Sequence, residues 1–139
     1  MTMNLKILFC LIFGFTAAAT AQLVVTILPP KIIGQKAIVP LAITNNLSQQ
    51  VESARALCFL LNNQGNLVGQ SAKWVIGGTR ERLSLKPKDG TSFNFVFTVP
   101  QPAAVTNLTA RLTFTRLILA GGQVADPNTK IIIQPAKKH

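Results

Sequence analysis

Apolar and polar residues alternate with a period of two along much of this chain. Between residues 93 and 99 the odd positions are large and apolar, whereas Asn94 and Thr98 are polar. Residues 108–118 repeat the pattern, with Arg111 and Thr113 at outward positions. Successive side chains of a β-strand point to opposite faces of a sheet, so this period predicts strands with one face on a core and one in water.

Nine runs of this kind are separated by turn signals. They lie near residues 23–28, 37–44, 54–62, 66–76, 82–85, 92–99, 107–119, 123–125 and 129–134. Residues 56–61 are apolar on both faces, as expected for a strand in the middle of a sheet. Asn62–Asn66 predicts a hairpin loop, and Gly77-Gly78 predicts another reversal. The sequence therefore predicts an all-β, immunoglobulin-like β-sandwich of about seven to nine antiparallel strands, with a barrel as the lesser alternative.

Pro40 interrupts one of the predicted strands. Proline has no N–H group to donate to a sheet ladder, so it is normally confined to edge strands and bulges. We therefore expect residues 38–44 to form an edge or bulged strand.

The first 21 residues have the layout of a secretory signal peptide. Lys6 supplies a positive charge, residues 7–15 are apolar and uncharged, and Ala19-Thr20-Ala21 fits the small-residue cleavage pattern. An N-terminal membrane anchor is the alternative, since the uncharged run extends to about Ile27. A lipoprotein is rejected, because bulky Phe9 precedes Cys10 where small residues are required. We expect a signal peptide at 1–21 and a single domain at 22–139, which is exported to the periplasm, the cell surface or the medium and has no membrane span after cleavage.

Only Cys58 remains as a cysteine after such cleavage, so no internal disulfide can form. It lies in an apolar run, where cysteine behaves as a small hydrophobic residue. We expect a buried, inert thiol.

The block from Ile43 to Val99 resembles the immunoglobulin-like and fibronectin-type-III-like modules of bacterial secreted or envelope proteins. The resemblance is carried by Thr44-Asn45-Asn46, the strand 54–61, the turn 63–68, Trp74, residues 85–88 and Phe93-Asn94-Phe95. It covers about half of the expected mature chain. The disulfide pair of antibody-type domains is missing, which argues against that branch. Such modules serve adhesion, spacing, carbohydrate contact or assembly, so the resemblance implies a fold without choosing a function.

The inventory of reactive side chains excludes most catalytic chemistry. The expected mature chain has four carboxylates, no tyrosine and one histidine, the terminal His139. A catalytic triad needs an imidazole held rigidly, and a structural metal site needs several ligands in closed geometry. We therefore expect no catalytic residues, no metal, no cofactor and no enzymatic activity.

The charge balance raises a second possibility. The chain has 14 Lys and Arg against 4 Asp and Glu, a net charge of +10. Four of the cations fall within nine residues: Arg80, Arg82, Lys86 and Lys88. If the segment is an extended strand, Arg80, Arg82 and Lys86 point to one side and form a polyanion-binding row. The alternative is a solvated strand edge that discourages edge-to-edge pairing.

Trp74 is the only tryptophan. Its bulk favours a position as a core anchor, and the alternative is an exposed stacking platform for a sugar or a base.

These features predict a non-enzymatic envelope or extracellular module that contacts another protein, through a sheet edge among other routes. The main alternative is a binder of anionic polymer, such as lipopolysaccharide, teichoic acid or nucleic acid, through the basic segment. An inhibitor or chaperone-like accessory is a third class that the residues do not separate from the first.

Overall fold

The computed structural model describes residues 21–80, 82–99 and 107–136. The predicted signal peptide, Glu81 and His139 lie outside these residues, apart from Ala21. The described residues form nine strands: β1 (Leu23–Ile27), β2 (Lys31–Ile33), β3 (Lys36–Asn45), β4 (Val51–Leu61), β5 (Leu67–Ile76), β6 (Gly90–Thr98), β7 (Thr109–Leu119), β8 (Gln123–Ala125) and β9 (Ile131–Pro135). A 3₁₀ turn (Ala120–Gly122) joins β7 to β8, and a four-residue helix, α1 (Pro127–Lys130), joins β8 to β9.

The strands form two sheets. The five-stranded sheet contains β6, β3, β1 and β9 in that order, and β2 continues β1 along the same side of β3. The four-stranded sheet has the order β5-β4-β7-β8. The prediction of an all-β sandwich is confirmed. The pairing is antiparallel except between β1 and β9, which run parallel, so the expectation of antiparallel strands alone needs this correction.

The core lies between the two sheets and is built from the inward positions of the alternating strands. Its largest fully buried side chains include Phe95, Leu41 and Ile43 from one sheet and Leu60 and Leu117 from the other. Burial of this apolar surface is the main stabilising contribution in such a sandwich. Phe93, Phe95 and Phe97 share one face of β6, as the alternation predicts, although Phe93 is only half-buried.

One predicted strand is wrong, and one strand was not predicted. Residues 82–85 form no strand, since only Leu85 makes an isolated bridge, to Val51. Lys31–Ile33 forms β2, a strand that the alternation did not indicate because all three residues are exposed.

The prediction that Pro40 marks an edge or bulged strand is also wrong. Strand β3 is paired on both sides, and Pro40 lies opposite Asn94 in an unbroken register with β6. On the other side, the Pro40 carbonyl accepts a hydrogen bond from the Leu28 N–H. The N–H and C=O of one strand residue point to the same side, so the missing donor of Pro40 faces Leu28, in the break between β1 and β2, and the ladder with β6 is intact.

Candidate functional site

The first candidate surface is an open side of the sandwich, where β7 and β9 meet. Strand β7 pairs with β4 along its length, but on its other side it pairs with β8 only at Leu117–Leu119. Within the described residues, the edge of β7 from Thr109 to Arg116 therefore has no neighbouring strand. An unpaired strand edge presents a row of N–H and C=O groups that can pair with another chain.

Strand β9 presents the second edge. Its Ala136 end is fixed to β1, since the Ala136 N–H donates to the Ile27 carbonyl. Backbone groups alternate in direction along a strand, so the N–H and C=O of Ile133 point away from β1. Pro135 shares that direction and has no N–H, which limits pairing at this end of the edge. Ile132 and Ile133 are 42% and 37% exposed, which is unusual for isoleucine side chains.

Grooves lie between these two edges, the larger one mainly apolar and the smaller one lined about equally by polar and apolar surface. The larger groove, about 650 Å³, is lined by Ile27–Pro30, Leu108–Ala110 and Ile133–Ala136. A smaller one of about 180 Å³ is lined by Leu112–Phe114, Pro127, Asn128, Ile131 and Ile133. Ile133 borders both. We call the two edges and the grooves between them the seam.

The seam arises because the last part of the chain changes sheets. Gly121 and Gly122 have positive φ angles, which lets the chain reverse tightly after β7 into the short β8. Asp126 then caps α1 by accepting a hydrogen bond from the Asn128 N–H, and Pro127 occupies the first helical position. The single helical turn carries the chain across to β1, so β9 joins the five-stranded sheet, and among the described residues β7 has no full-length neighbour on the side opposite β4.

The second candidate surface is the outer face of the four-stranded sheet. Strand register places its residues in rows across β5, β4 and β7: Trp74–Arg55–Arg116, Ala72–Leu57–Thr113 and Gln70–Phe59–Arg111. Leu57 and Phe59 are half-buried in the middle of this face. We call these nine residues the outer face.

Trp74 lies on the outer face and is not part of the buried core, so the core-anchor prediction is wrong. It pairs with Arg55, whose guanidinium carbon lies 5.8 Å from the centroid of the indole ring. Gly78 packs directly against the ring: a Cβ atom there would overlap Trp74 Cγ and Cδ2. The Gly78 backbone therefore covers part of the ring, and Arg55 approaches within cation–π distance. The stacking role stays a prediction.

The four cations of the predicted polyanion row do not lie on a strand. The segment after β5 is a loop: the Arg82 N–H donates to the Thr79 carbonyl, and Lys88 has a positive φ of 69°. The Arg82 guanidinium carbon lies 4.4 Å from the Phe93 ring centroid, which directs this side chain toward β6. The exposed Arg80, Lys86 and Lys88 are held on this irregular backbone. The prediction that Arg80, Arg82 and Lys86 form a row along an extended strand is thus wrong. Anion binding by these residues stays a prediction.

Sequence reasoning missed the arginines of the outer face. Arg111 occupies an outward position in the alternation of residues 107–119, but Arg116 breaks that alternation. A β-bulge between Arg55 and Ala56 on β4 leaves Thr115 as an extra residue on β7, so Arg116 returns to the outer side. Only the pairing of β4 with β7 brings Arg55 and Arg116 together, and nothing in the local sequence indicates that pairing.

Cys58 is fully buried on the inner side of β4. Burial raises the pKa of its thiol from 9.0 to about 11, because the charged thiolate is disfavoured away from water. In residues 21–80, 82–99 and 107–136, no group of three or more His, Cys, Asp or Glu is placed to hold a metal ion. No helix in these same ranges is long and apolar enough to cross a membrane.

No protein-family model matches the chain, and no curated protein matches it significantly. Among solved structures, a crystal structure described as ApaA from Bordetella pertussis aligns with a TM-score of 0.52 and 15% identity, over 75% of this chain and 85% of that one. An X-ray structure from a structural-genomics consortium aligns with a TM-score of 0.44 and 7% identity, over 75% and 76% of the two chains. A β-glucuronidase of glycoside hydrolase family 2 aligns at 0.35 and 13% identity, over 75% of this chain and 13% of that one. At such identities the likeness to ApaA shows a shared fold alone.

Proposed function

We propose that this protein is a non-enzymatic, exported β-sandwich module that binds another envelope or extracellular protein by taking an extended segment into the seam. The observation that carries the proposal is the pair of edges on β7 and β9 that have no neighbouring strand among the described residues, with a mainly apolar groove between them. An added strand gains main-chain hydrogen bonds from an edge, and the grooves accept its alternate side chains. The seam offers both elements in one place.

The connectivity supports an immunoglobulin-like module. Strand β1 pairs antiparallel with β3 and parallel with β9, and β3 also pairs with β6. The opposite sheet contains β4, β7 and β8, with β5 as a fourth strand. This arrangement matches the division of strands between the two sheets of immunoglobulin-like sandwiches. In this reading β8 and β9 are two halves of the final strand, divided by α1.

The reactive groups support a binding role over catalysis. Cys58 has a raised pKa and no exposed surface, so its thiol is unsuited to nucleophilic attack. Of the described carboxylates, Glu52 accepts a hydrogen bond from the Gly121 N–H, and Asp126 caps α1. These roles are structural.

Export is the second part of the proposal and rests on the apolar N-terminus. Cleavage after Ala21 leaves Gln22 as the first residue. The measurement is the intact mass of the protein recovered from the envelope and the medium of its own organism. A mass that begins at Gln22 supports export with processing, and a secreted form that retains residues 1–21 contradicts it.

Strand addition is tested by removing one N–H group from the edge of β9. Ile133→Pro deletes the outward N–H without breaking the β1–β9 ladder, and Ile133→Ala is the matched control that loses the side chain but keeps the N–H. Both variants are used to retain proteins from the organism's envelope fraction at low and high salt. We expect one partner that survives high salt with wild type and Ile133→Ala, and is lost with Ile133→Pro.

Equal retention of that partner by wild type and Ile133→Pro contradicts strand addition at β9. A partner released from wild type by salt alone also contradicts it, because main-chain pairing in an apolar groove is weakly screened. Far-UV circular dichroism of both variants checks that the sandwich remains folded.

A further inference from the structure

We infer that the outer face of the four-stranded sheet is a second binding site, for a carboxylate-bearing polysaccharide. The outer face adjoins the seam at Thr113, but binding to it does not depend on the proposed strand addition. The first observation is an unfavourable pair of charges. Arg55 and Arg116 are direct cross-strand partners on the same face. Like charges at such positions are destabilising, and an anion bound between them removes that cost.

No acidic side chain of the described residues offsets these arginines from within the outer face. Glu52 accepts from the Gly121 N–H, Asp126 caps α1, and Asp89 lies in the loop before β6. Arg111, opposite Phe59, adds a third cation farther along β7. The result is a surface with arginines in its first and third rows, separated by the row Ala72–Leu57–Thr113.

The residue types indicate which anion suits the site. The cations of the outer face are all arginines, and the planar guanidinium binds a carboxylate, as it does a phosphate, through two parallel hydrogen bonds, so the apolar strip must supply the preference for a sugar acid. Between them, Leu57 and Phe59 form a half-buried apolar strip, flanked by the polar side chains of Gln70 and Thr113. A sugar ring has an apolar face of C–H groups and a rim of hydroxyls, so a chain of uronate sugars complements this strip and the arginines together.

Single-stranded nucleic acid fits the outer face less well. Binding of successive bases relies on several aromatic rings with free faces. Trp74 is partly covered by the Gly78 backbone and lies beside Arg55, and Phe59 is set between strands as a half-buried side chain. The outer face therefore offers charge and an apolar strip in place of a series of stacking platforms.

Binding at the outer face can be followed by tryptophan fluorescence, because Trp74 is the only tryptophan and borders Arg55. The purified protein is titrated with polygalacturonate while Trp74 emission is followed, and with neutral dextran as the uncharged control. We expect a saturable change in emission with polygalacturonate and none with dextran. The variant R55Q/R111Q/R116Q should bind roughly tenfold to a hundredfold more weakly, since three charge-assisted contacts are lost.

The loop cations supply a matched control. The variant R80Q/R82Q/K86Q removes the same number of positive charges from elsewhere on the protein. Its affinity for polygalacturonate should stay within about twofold of wild type if binding depends on the outer-face arginines. A third variant, R55K/R111K/R116K, retains the charge but loses the planar fork, and an intermediate affinity is expected. Circular dichroism confirms that each variant is folded.

Several results would overturn the inference. Equal weakening by the two glutamine variants would assign the binding to net charge, and weakening by R80Q/R82Q/K86Q alone would assign it to the loop. Polydeoxythymidylate that binds through the same arginines as tightly as polygalacturonate would replace the polysaccharide with nucleic acid. Absence of any change with wild type at low salt would remove the site.

Discussion

Asn45 and Leu85, forty residues apart, are joined by a buried hydrogen bond in which the Asn45 side-chain amide donates to the Leu85 carbonyl at 3.0 Å. The same amide donates to the Gln49 carbonyl, and its oxygen accepts from the Leu47 N–H. The Asn45 backbone adds bonds with Lys88 and Asp89. One fully buried side chain thus ties the end of β3 to the loop that follows it and to the loop before β6.

Replacing Asn45 by alanine should destabilise the domain by roughly 2–4 kcal/mol, because it leaves the buried Leu47 N–H without its partner and removes the side-chain bonds to the Gln49 and Leu85 carbonyls. Equilibrium denaturant unfolding is the measurement. Asn46→Ala is the matched control, since Asn46 is exposed and uses its backbone N–H to bond Gln22. Similar losses for the two substitutions would contradict the role assigned to Asn45.

The prominence of Asn45 was only partly predictable. The pair Asn45-Asn46 contributes to the resemblance to immunoglobulin-like modules, but both residues have the composition of an ordinary turn. Asn45 contacts Leu85 and Asp89, which lie forty or more residues away in the sequence, in the loop before β6. The sequence near Asn45 does not indicate these long-range contacts.

The alternation in β6 predicts a large energetic difference between neighbouring residues. Phe95 is 1% exposed, and Asn94 is exposed opposite Pro40. Phe95→Ala should cost about 3–5 kcal/mol through the cavity it creates, whereas Asn94→Ala should cost less than about 0.5 kcal/mol. Denaturant unfolding of both variants measures the difference, and comparable costs would be inconsistent with a one-sided strand.

Strand periodicity gave the sandwich and most of its strands because one-sided burial leaves a strong pattern in the sequence. Strand periodicity did not predict strands or positions whose backbone is paired but whose side chains follow no pattern of one-sided burial. β2 is paired but wholly exposed, so it carries no alternation. Pro40 occupies a doubly paired strand because its missing N–H faces the break between β1 and β2. The position of that break is not indicated by the sequence around Pro40. The placement of Arg55 and Arg116 side by side likewise depends on a bulge and on the register between β4 and β7.

Gly77 and Gly65 form a matched pair for testing the turn beneath Trp74. Both have positive φ, but a Cβ at Gly77 would overlap the Glu52 carbonyl oxygen, whereas a Cβ at Gly65 would meet open space. Gly65→Ala should cost about 1 kcal/mol for the backbone conformation alone. Gly77→Ala should cost roughly 1–3 kcal/mol more because the backbone must also shift. Thermal or denaturant unfolding compares them, and equal costs would argue against the close approach to β4.

The buried position of Cys58 predicts slow labelling by thiol reagents and a stability that changes at alkaline pH. Its burial should keep the thiol unreactive toward thiol reagents in the native protein, with rapid labelling only after unfolding. Its pKa, raised from 9.0 to about 11, also links folding to alkaline pH. The unfolded thiol ionises near pH 9.0 while the folded thiol is still protonated, so the unfolded state loses the proton first.

The stability that depends on a protonated Cys58 is therefore fully present below pH 9.0 and is lost as the pH rises toward 11. Lysines titrate in the same range, so wild type is compared with Cys58→Ala, in which every lysine is retained. The difference in unfolding free energy between the two proteins should be constant below pH 9.0 and should move in favour of Cys58→Ala above it. A difference that stays constant up to pH 11, or native labelling as fast as that of unfolded protein, would place the thiol in contact with solvent and contradict its position on the inner side of β4.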